Sequence, residues 1–237
     1  MKAMILAAGL GTRLGELTEE MPKALVKVKG KPMLEHVVEN LKSFGIAEII
    51  VNVHHFGEQV MDFLQKKKNF GIRIEISDER DILLDTGGGL MKASWFFDDS
   101  KPFLLYNVDV LSRIDLHKLE KFHVLNKELA TLVVKNRVTS RYFLIDKNQW
   151  LCGWRNKKTG EEIIARYADK LSEVAFSGIQ MINPDIFRLC KKTGKFSLTE
   201  MYLELAEEHK IVAYNDSALW FDMGRPENIV EAEKSFF

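Results

Sequence analysis

Gly9, Gly11, Arg13 and Lys23 stand close together near the start of the chain, in Leu6-Ala7-Ala8-Gly9-Leu10-Gly11-Thr12-Arg13 and Pro22-Lys23. Backbone N–H groups wrap phosphate oxygens only where no Cβ blocks the approach and φ is free to turn positive, and the two glycines supply that freedom. Arg13 can present a planar fork to two phosphate oxygens, while Lys23 offers a mobile point charge for a second phosphate group. The set suits a triphosphate better than a single anion. Two carboxylates complement it. Asp109 follows the apolar run Phe103 to Asn107, and Asp222 follows Trp220-Phe221. A carboxylate at the C-terminal end of a central parallel strand sits where open α/β sheets bind ligands, which makes Asp109 the leading metal-ligand candidate. Mg²⁺ needs only one or two carboxylates besides substrate phosphates, so Asp109 and Asp222 need not be adjacent in sequence. Each alone also reads as a satisfied loop carboxylate.

Other phosphate motifs fit less well. Gly9-Leu10-Gly11-Thr12-Arg13-Leu14 lacks the third small residue of a dinucleotide fingerprint, and Gly15 and Pro22 interrupt the helix that such a site requires. The Walker lysine arrangement is absent. A plain glycine turn after a buried strand stays open as the bland alternative. A second glycine motif, Leu84-Asp85-Thr86-Gly87-Gly88-Gly89-Leu90, precedes a helical pattern at Leu90, Met91, Ala93 and Ser94. Three consecutive glycines let a flat ligand such as a nucleobase lie against backbone, or form a flexible turn.

The elements that position these residues follow from periodicity. Met4 to Ala7 is a short buried strand and Ala24 to Val28 an extended piece, and a helix from Pro32 through Phe44 carries apolar residues at helical spacing. The strand Ile49 to Val53, a helix over 57–68 and the strand Ile72 to Ile76 set a βαβ rhythm, and Phe103 to Asn107 is a further buried strand. A helix from Leu116 to Leu125 and a strand from Leu129 to Val134 follow. Tyr142 to Ile145 and Gln149 to Trp154, with the turn Lys157-Lys158-Thr159-Gly160, read as strands and hairpins forming a lid on one side of the main sheet. Arg137, Arg141, Arg155 and Arg166 in this part are ordinary surface residues by default; any that faced the pocket would suit an acceptor with a carboxylate beyond its phosphate. Glu173 to Ile182 is a strand with Gly178 inside it, which marks close approach of a ligand or another backbone. Ser197 and Glu200 form a capping box, Ile211 to Tyr214 is a strand, and Pro226 opens a last helix.

Composition sets the frame. The 237 residues and 46% apolar content fit one large α/β domain over 1–237. Lys plus Arg and Asp plus Glu both number 34, which argues against nucleic acid or an anionic membrane surface as partner and makes any anion site local. Cys152 and Cys190 have no metal-ligand spacing, so the expected setting is reducing and cytoplasmic. No segment approaches the length of a membrane span, and no signal-peptide pattern or internal repeat is visible.

Leu6-Ala7-Ala8-Gly9-Leu10-Gly11-Thr12-Arg13-Leu14 followed by Pro22-Lys23 resembles the signature of the sugar-1-phosphate nucleotidylyltransferases. The order of motifs further on resembles the short N-acetylmuramate-1-phosphate uridylyltransferases of cell-wall recycling, over nearly the whole chain and least from about Arg137 to Lys170. The resemblance implies a three-layer, Rossmann-like α/β fold with a mostly parallel mixed sheet, that of the nucleotide-diphospho-sugar transferases, and a small β lid over the sugar, with 1–110 mainly for the nucleotide and 111–237 mainly for the sugar. It implies Leu6, Ala7, Ala8, Gly9, Gly11, Thr12, Arg13, Asp85, Thr86, Gly87 and Gly88 at the nucleotide. It implies Lys23, Asn107, Gly153 and Gly178 at the sugar phosphate, and Asp109 and Asp222 on Mg²⁺. Val108 stands where the family commonly has glycine. The expected reaction joins UTP to N-acetylmuramate 1-phosphate, with Arg13 and Lys23 catalytic, in a monomer or weak dimer. GTP with mannose or heptose phosphates, CTP with phosphocholine, and a non-catalytic nucleotide-sugar sensor stay open as alternatives; a dehydrogenase is the poorest reading.

Overall fold

Five consecutive buried residues form β1 (Lys2–Leu6), at the centre of a computed structural model that describes Met1–Phe237. A strand covered on both faces needs no alternation, which is why its sequence reads as one apolar run. Two 3-10 turns follow, Thr12–Thr18 and Lys23–Leu25, then a small hairpin of β2 (Lys27–Val28) and β3 (Lys31–Pro32). The extended piece expected over 24–28 is thus a tight turn closed by Val26 N–H on the Lys23 carbonyl, with a strand only at its end. α1 (Met33–Ser43) has Pro32 at its N-cap and buries Leu34, Val37, Val38 and Leu41. β4 (Glu48–Val53), α2 (Gly57–Lys66) and β5 (Arg73–Asp78) complete the βαβ rhythm, with β1, β4 and β5 parallel in that order. α3 (Asp85–Lys92) leads back to β6 (Phe103–Asn107), which pairs with the opposite edge of β1, again parallel. Strand order therefore reverses between β1 and β6, and the crevice at such a switch point is where open α/β sheets bind ligands.

The second half comprises β7 (Val110–Ser112), α4 (Leu116–Asn126), β8 (Ala130–Lys135), β9 (Arg141–Ile145), β10 (Leu151–Asn156), β11 (Glu161–Ile164) and the long β12 (Ser172–Ile182). α5 (Asp185–Leu189), α6 (Leu198–Ala206), β13 (Ile211–Asn215), β14 (Trp220–Asp222) and α7 (Pro226–Ser235) finish it. β12 runs antiparallel to β6 and β8 after a register shift between Phe176 and Gln180, and its first residues pair instead with β9. The β9, β10 and β11 strands extend the ten-stranded sheet through β12, so the expected lid is continuous with that sheet. β7 and β14 form a separate antiparallel ribbon.

One sheet face packs Met4, Ile50 and Leu105 against Leu90 of α3 and Met201, Tyr202 and Leu205 of α6. The other packs Ile5, Val51 and Tyr106 against α1, α2 and α4. A smaller cluster of Leu14, Val26, Met33, Leu111, Met223 and Ile229 ties the first turns to α7. No helix is long and apolar enough to cross a membrane.

Candidate active site

The β1 strand ends at the switch point, and residues 7–11 loop over it. Ala7 N–H and Ala8 N–H both donate to Asn52 Oδ1, at 2.7 and 3.3 Å. Gly9, Leu10 and Gly11 N–H groups have no partner in the chain, so these are the donors available to an anion. Gly11 is required twice over: its φ is +70°, and a Cβ there would stand 2.9 Å from Thr18 Cγ2 and 3.0 Å from Lys23 Cβ. Gly9 has open space where its Cβ would be. Arg13 is about half exposed, with Nη1 4.0 Å from Asp222 Oδ2, and its Nη2 lies where a Cβ on Gly224 would be.

Asn52 was not singled out by sequence reading, and it organises the floor of the site. Its Nδ2 donates to Glu79 Oε1 at 2.8 Å, and Glu79 is fully buried. Burial pushes the Glu79 carboxyl above the usual carboxylate range, against the opposing bonds from Asn52 and the Leu84 N–H. A polar residue inside the β-branched run of β4 is the signal that could have found Asn52, because a buried amide must be paired.

The cations and carboxylates meet. Lys23 Nζ forms an ion pair with Asp109 Oδ2, both largely buried. In the β7–β14 ribbon Asp222 lies opposite Val110, and Met223 N–H donates to the Asp109 carbonyl at 2.7 Å, so the two aspartates occupy neighbouring strands at one end. Asp222 Oδ1 accepts from Gly224 N–H at 2.8 Å. No group of three or more His, Cys, Asp or Glu residues forms a metal cage. Two carboxylates without a third are the donor set of a Mg²⁺ that arrives with substrate phosphates, so the residues present fit that ion.

A cavity of about 420 Å³ joins Gly9, Gly11 and Thr12 to Lys23, Asn107 and Asp109, with Leu83, Asp85 and Thr86 on its far wall. Asp85 has φ +61° and accepts from Thr86 N–H at 2.6 Å, which turns the chain into α3. The tri-glycine expectation is corrected here. Gly87, Gly88 and Gly89 lie inside α3, buried, and a Cβ at each would meet protein: the Phe196 ring at 2.5 Å, the Gly194 carbonyl at 2.3 Å and Glu79 Oε1 at 2.7 Å. Gly87 and Gly88 N–H groups both donate to the Phe196 carbonyl. Gly87 and Gly88 make a socket for residues 194–197 and Gly89 makes room for Glu79 and Asn52, and Gly87 and Gly88 do not line the cavity. Thr86 Oγ1 accepts from Leu198 N–H at 2.9 Å, which fastens the same segment. The segment brings Lys195, absent from the sequence reading, to the cavity wall.

Gly178 and Asn107 lie side by side. Gly178 has φ +79° in the irregular part of β12, and a Cβ there would stand 2.9 Å from Asn107 Nδ2. Gly153 is corrected: it makes room for the Ile163 carbonyl of β11, 2.4 Å from where its Cβ would be, and lies in the sheet extension rather than on the cavity. Of the four arginines, Arg155 pairs with Glu162 and Glu173, Arg166 donates to the Ala206 and His209 carbonyls, and Arg141 is exposed. Arg137 stands apart, stacked on Trp220.

A switch-point crevice with free N–H donors, an ion-paired lysine and two neighbouring aspartates defines an α/β protein built to hold phosphates. The chain belongs to the nucleotidyl transferase family, whose profile matches residues 2–236. It is 30% identical to the N-acetylmuramate alpha-1-phosphate uridylyltransferase of Caulobacter vibrioides, over 98% of this chain and 95% of that one. It is 29% identical to the mannose-1-phosphate guanyltransferase of Yarrowia lipolytica over 97% of this chain, and spans 62% of the length of that relative. Among solved structures, HddC from Yersinia pseudotuberculosis complexed with GMP-PN superposes with a TM-score of 0.80 at 23% identity, over 100% of this chain and 99% of that one. The nucleotide-diphospho-sugar transferase fold is thereby shown.

Proposed function

We propose that the protein is a sugar-1-phosphate nucleotidylyltransferase that joins UTP to N-acetylmuramate 1-phosphate. The observation that carries the reaction class is the placing of three unpartnered N–H groups, on Gly9, Leu10 and Gly11, around one cavity with the Lys23–Asp109 pair. A phosphate oxygen of the sugar 1-phosphate attacks the α-phosphorus in line, a new P–O bond forms, and the bond to the β-phosphate breaks to release pyrophosphate. The nucleophile is already ionised at neutral pH, so positioning and charge neutralisation do the catalysis and no acid or base is required. Arg13 and the loop N–H groups hold the departing phosphates, and Lys23 neutralises charge at the attacking phosphate. Asp109 and Asp222 would hold Mg²⁺, which supplies neutralisation of the reacting phosphates. Support for the substrate pair comes from the Caulobacter relative, which matches this chain over nearly the full length of both. The mannose-1-phosphate guanyltransferase at 29% identity favours GTP and mannose 1-phosphate as the second reading.

The test is pyrophosphate release with Mg²⁺ across nucleoside triphosphates, each paired with N-acetylmuramate, N-acetylglucosamine, glucose, mannose and heptose 1-phosphates and with phosphocholine. The largest kcat/KM is expected for UTP with N-acetylmuramate 1-phosphate. Lys23→Ala is expected to lower turnover by roughly 100-fold or more, the scale of losing one charge-stabilising group. Release only with other pairs would keep the mechanism and discard the substrate. Silence across the panel with nucleotide binding intact would favour a nucleotide-sugar sensor.

A further inference from the structure

We propose that Arg137 is an anion-binding residue of the acceptor subsite, held by Trp220 and the irregular part of β12 so that its guanidinium meets a phosphate or carboxylate of the incoming acceptor. This rests on the reading above, in which the acceptor lies beside Asn107 and Gly178. The guanidinium carbon is 4.6 Å from the Trp220 ring, and Nη2 donates to the Phe176 carbonyl at 3.0 Å. Trp220 Nε1 donates to the next carbonyl, of Ser177, at 2.8 Å. Two side chains thus clamp successive carbonyls immediately before Gly178, the residue that packs against Asn107. Trp220 belongs to the strand that carries Asp222, and Arg137, Trp220 and Asp222 line one cavity of about 620 Å³.

Arg113, Arg141, Arg166 and Arg137 are the arginines without a carboxylate partner, and of these only Arg137 has a buried nitrogen that makes no bond. Arg155 shares two glutamates, and Arg73 and Arg80 pair with two carboxylates each. Arg137 has no carboxylate within ion-pair distance, its Nε is buried without a partner, and Nη1 makes no bond in the chain. Burial holds its pKa below the usual arginine value, with Asp222 opposing that effect, yet a guanidinium stays charged at neutral pH. Removing a cation from water with no counter-charge in direct contact, Asp222 acting only from a distance, is costly, and an arriving anion offsets that cost; a planar fork suits the paired oxygens of a carboxylate or phosphate. A merely structural clamp would leave no such deficit.

The experiment compares wild type, Arg137→Met and Arg137→Lys with two acceptors that differ in the carboxylate-bearing lactyl ether on O3, N-acetylmuramate 1-phosphate and N-acetylglucosamine 1-phosphate. Arg137→Met is expected to raise the acceptor KM roughly tenfold or more while the nucleotide KM stays within about twofold, and Arg137→Lys to recover part of the loss. A loss confined to the muramate identifies the carboxylate as the anion, and an equal loss for both identifies the phosphate. An unchanged acceptor KM, or a nucleotide KM that rises by the same factor, overturns the proposal. Calorimetric titration of N-acetylmuramate 1-phosphate into the same proteins needs no turnover, so it separates this proposal from the reaction assignment. Binding at least about tenfold weaker in Arg137→Met supports the proposal; equal binding, or none to wild type, sinks it.

Discussion

At the scale of single residues, the loop after β1 depends on one buried amide. Asn52 takes both Ala7 and Ala8 N–H groups and hands its own amide protons to Glu79, so the loop N–H groups left over are those of Gly9, Leu10 and Gly11. Leaving any buried member of this set unpaired costs about 1–3 kcal/mol. Glu79 is the member whose charge matters. Its carboxyl is raised by burial above the ordinary value of 4.5, so the folded state holds the proton more tightly than the unfolded chain does. The stability this confers is fully present below the unfolded pKa and is lost as pH rises through the folded one. Glu79→Gln removes that titration. Urea unfolding of the variant is therefore expected to change less than wild type as pH rises from the ordinary Glu value of 4.5, where the unfolded chain ionises first. Parallel pH profiles for the two proteins would contradict the assignment.

At the scale of elements, α3 shows how packing overrides propensity. Glycine is a poor helix former, so the sequence places the helix start at Leu90, after the three glycines. In the fold the helix begins at Asp85, because Phe196, Gly194 and Glu79 fill the space where side chains on the three glycines would be. The partner segment lies about a hundred residues away along the chain, beyond the reach of any local pattern. Gly88→Ala isolates the two effects. Alanine gains up to about 1 kcal/mol of helix propensity, while its Cβ would stand 2.3 Å from the Gly194 carbonyl, a backbone atom that cannot swing aside. Overpacking of this kind costs about 1–3 kcal/mol, so the net change is expected to be destabilising, with a raised nucleotide KM because Lys195 rides on the displaced segment. A more stable variant with unchanged KM would refute the socket. What the sequence did show is equally local in origin. β1, α1, β4, β6 and α4 were legible from buried runs and helical spacing, and the turn after β1 from its glycines. Asn52, Glu79 and Lys195 were not, since each acts through a neighbour brought by tertiary folding.

At the scale of the whole molecule, the two aspartates come from the middle and the C-terminal part of the chain and are joined by the β7–β14 ribbon, with Met223 and Ile229 of the C-terminal part packed against Leu14 and Met33. Each carboxylate stands beside a cation: Asp109 is ion-paired with Lys23, and Asp222 lies 4.0 Å from Arg13. The free protein is therefore close to locally neutral where phosphates are to bind, and with no third acidic donor it offers a divalent ion little. A nucleoside triphosphate changes this balance. In the proposed reaction its oxygens would complete the coordination of a Mg²⁺ held by the two aspartates, and its negative charge would give Lys23 and Arg13 another partner. Metal and nucleotide should then bind as linked partners, each raising the affinity of the other by the same factor. Calorimetry is expected to show weak, non-saturating Mg²⁺ binding to the protein alone and saturable binding in the presence of a non-hydrolysable triphosphate. Asp222→Ala should abolish the linkage while leaving metal-free nucleotide binding within a few-fold. A tight Mg²⁺ site in the free protein would mean that the aspartates form a preassembled metal centre, and the pairing of Lys23 with Asp109 would then be a competitor for the metal instead of a resting state awaiting phosphate.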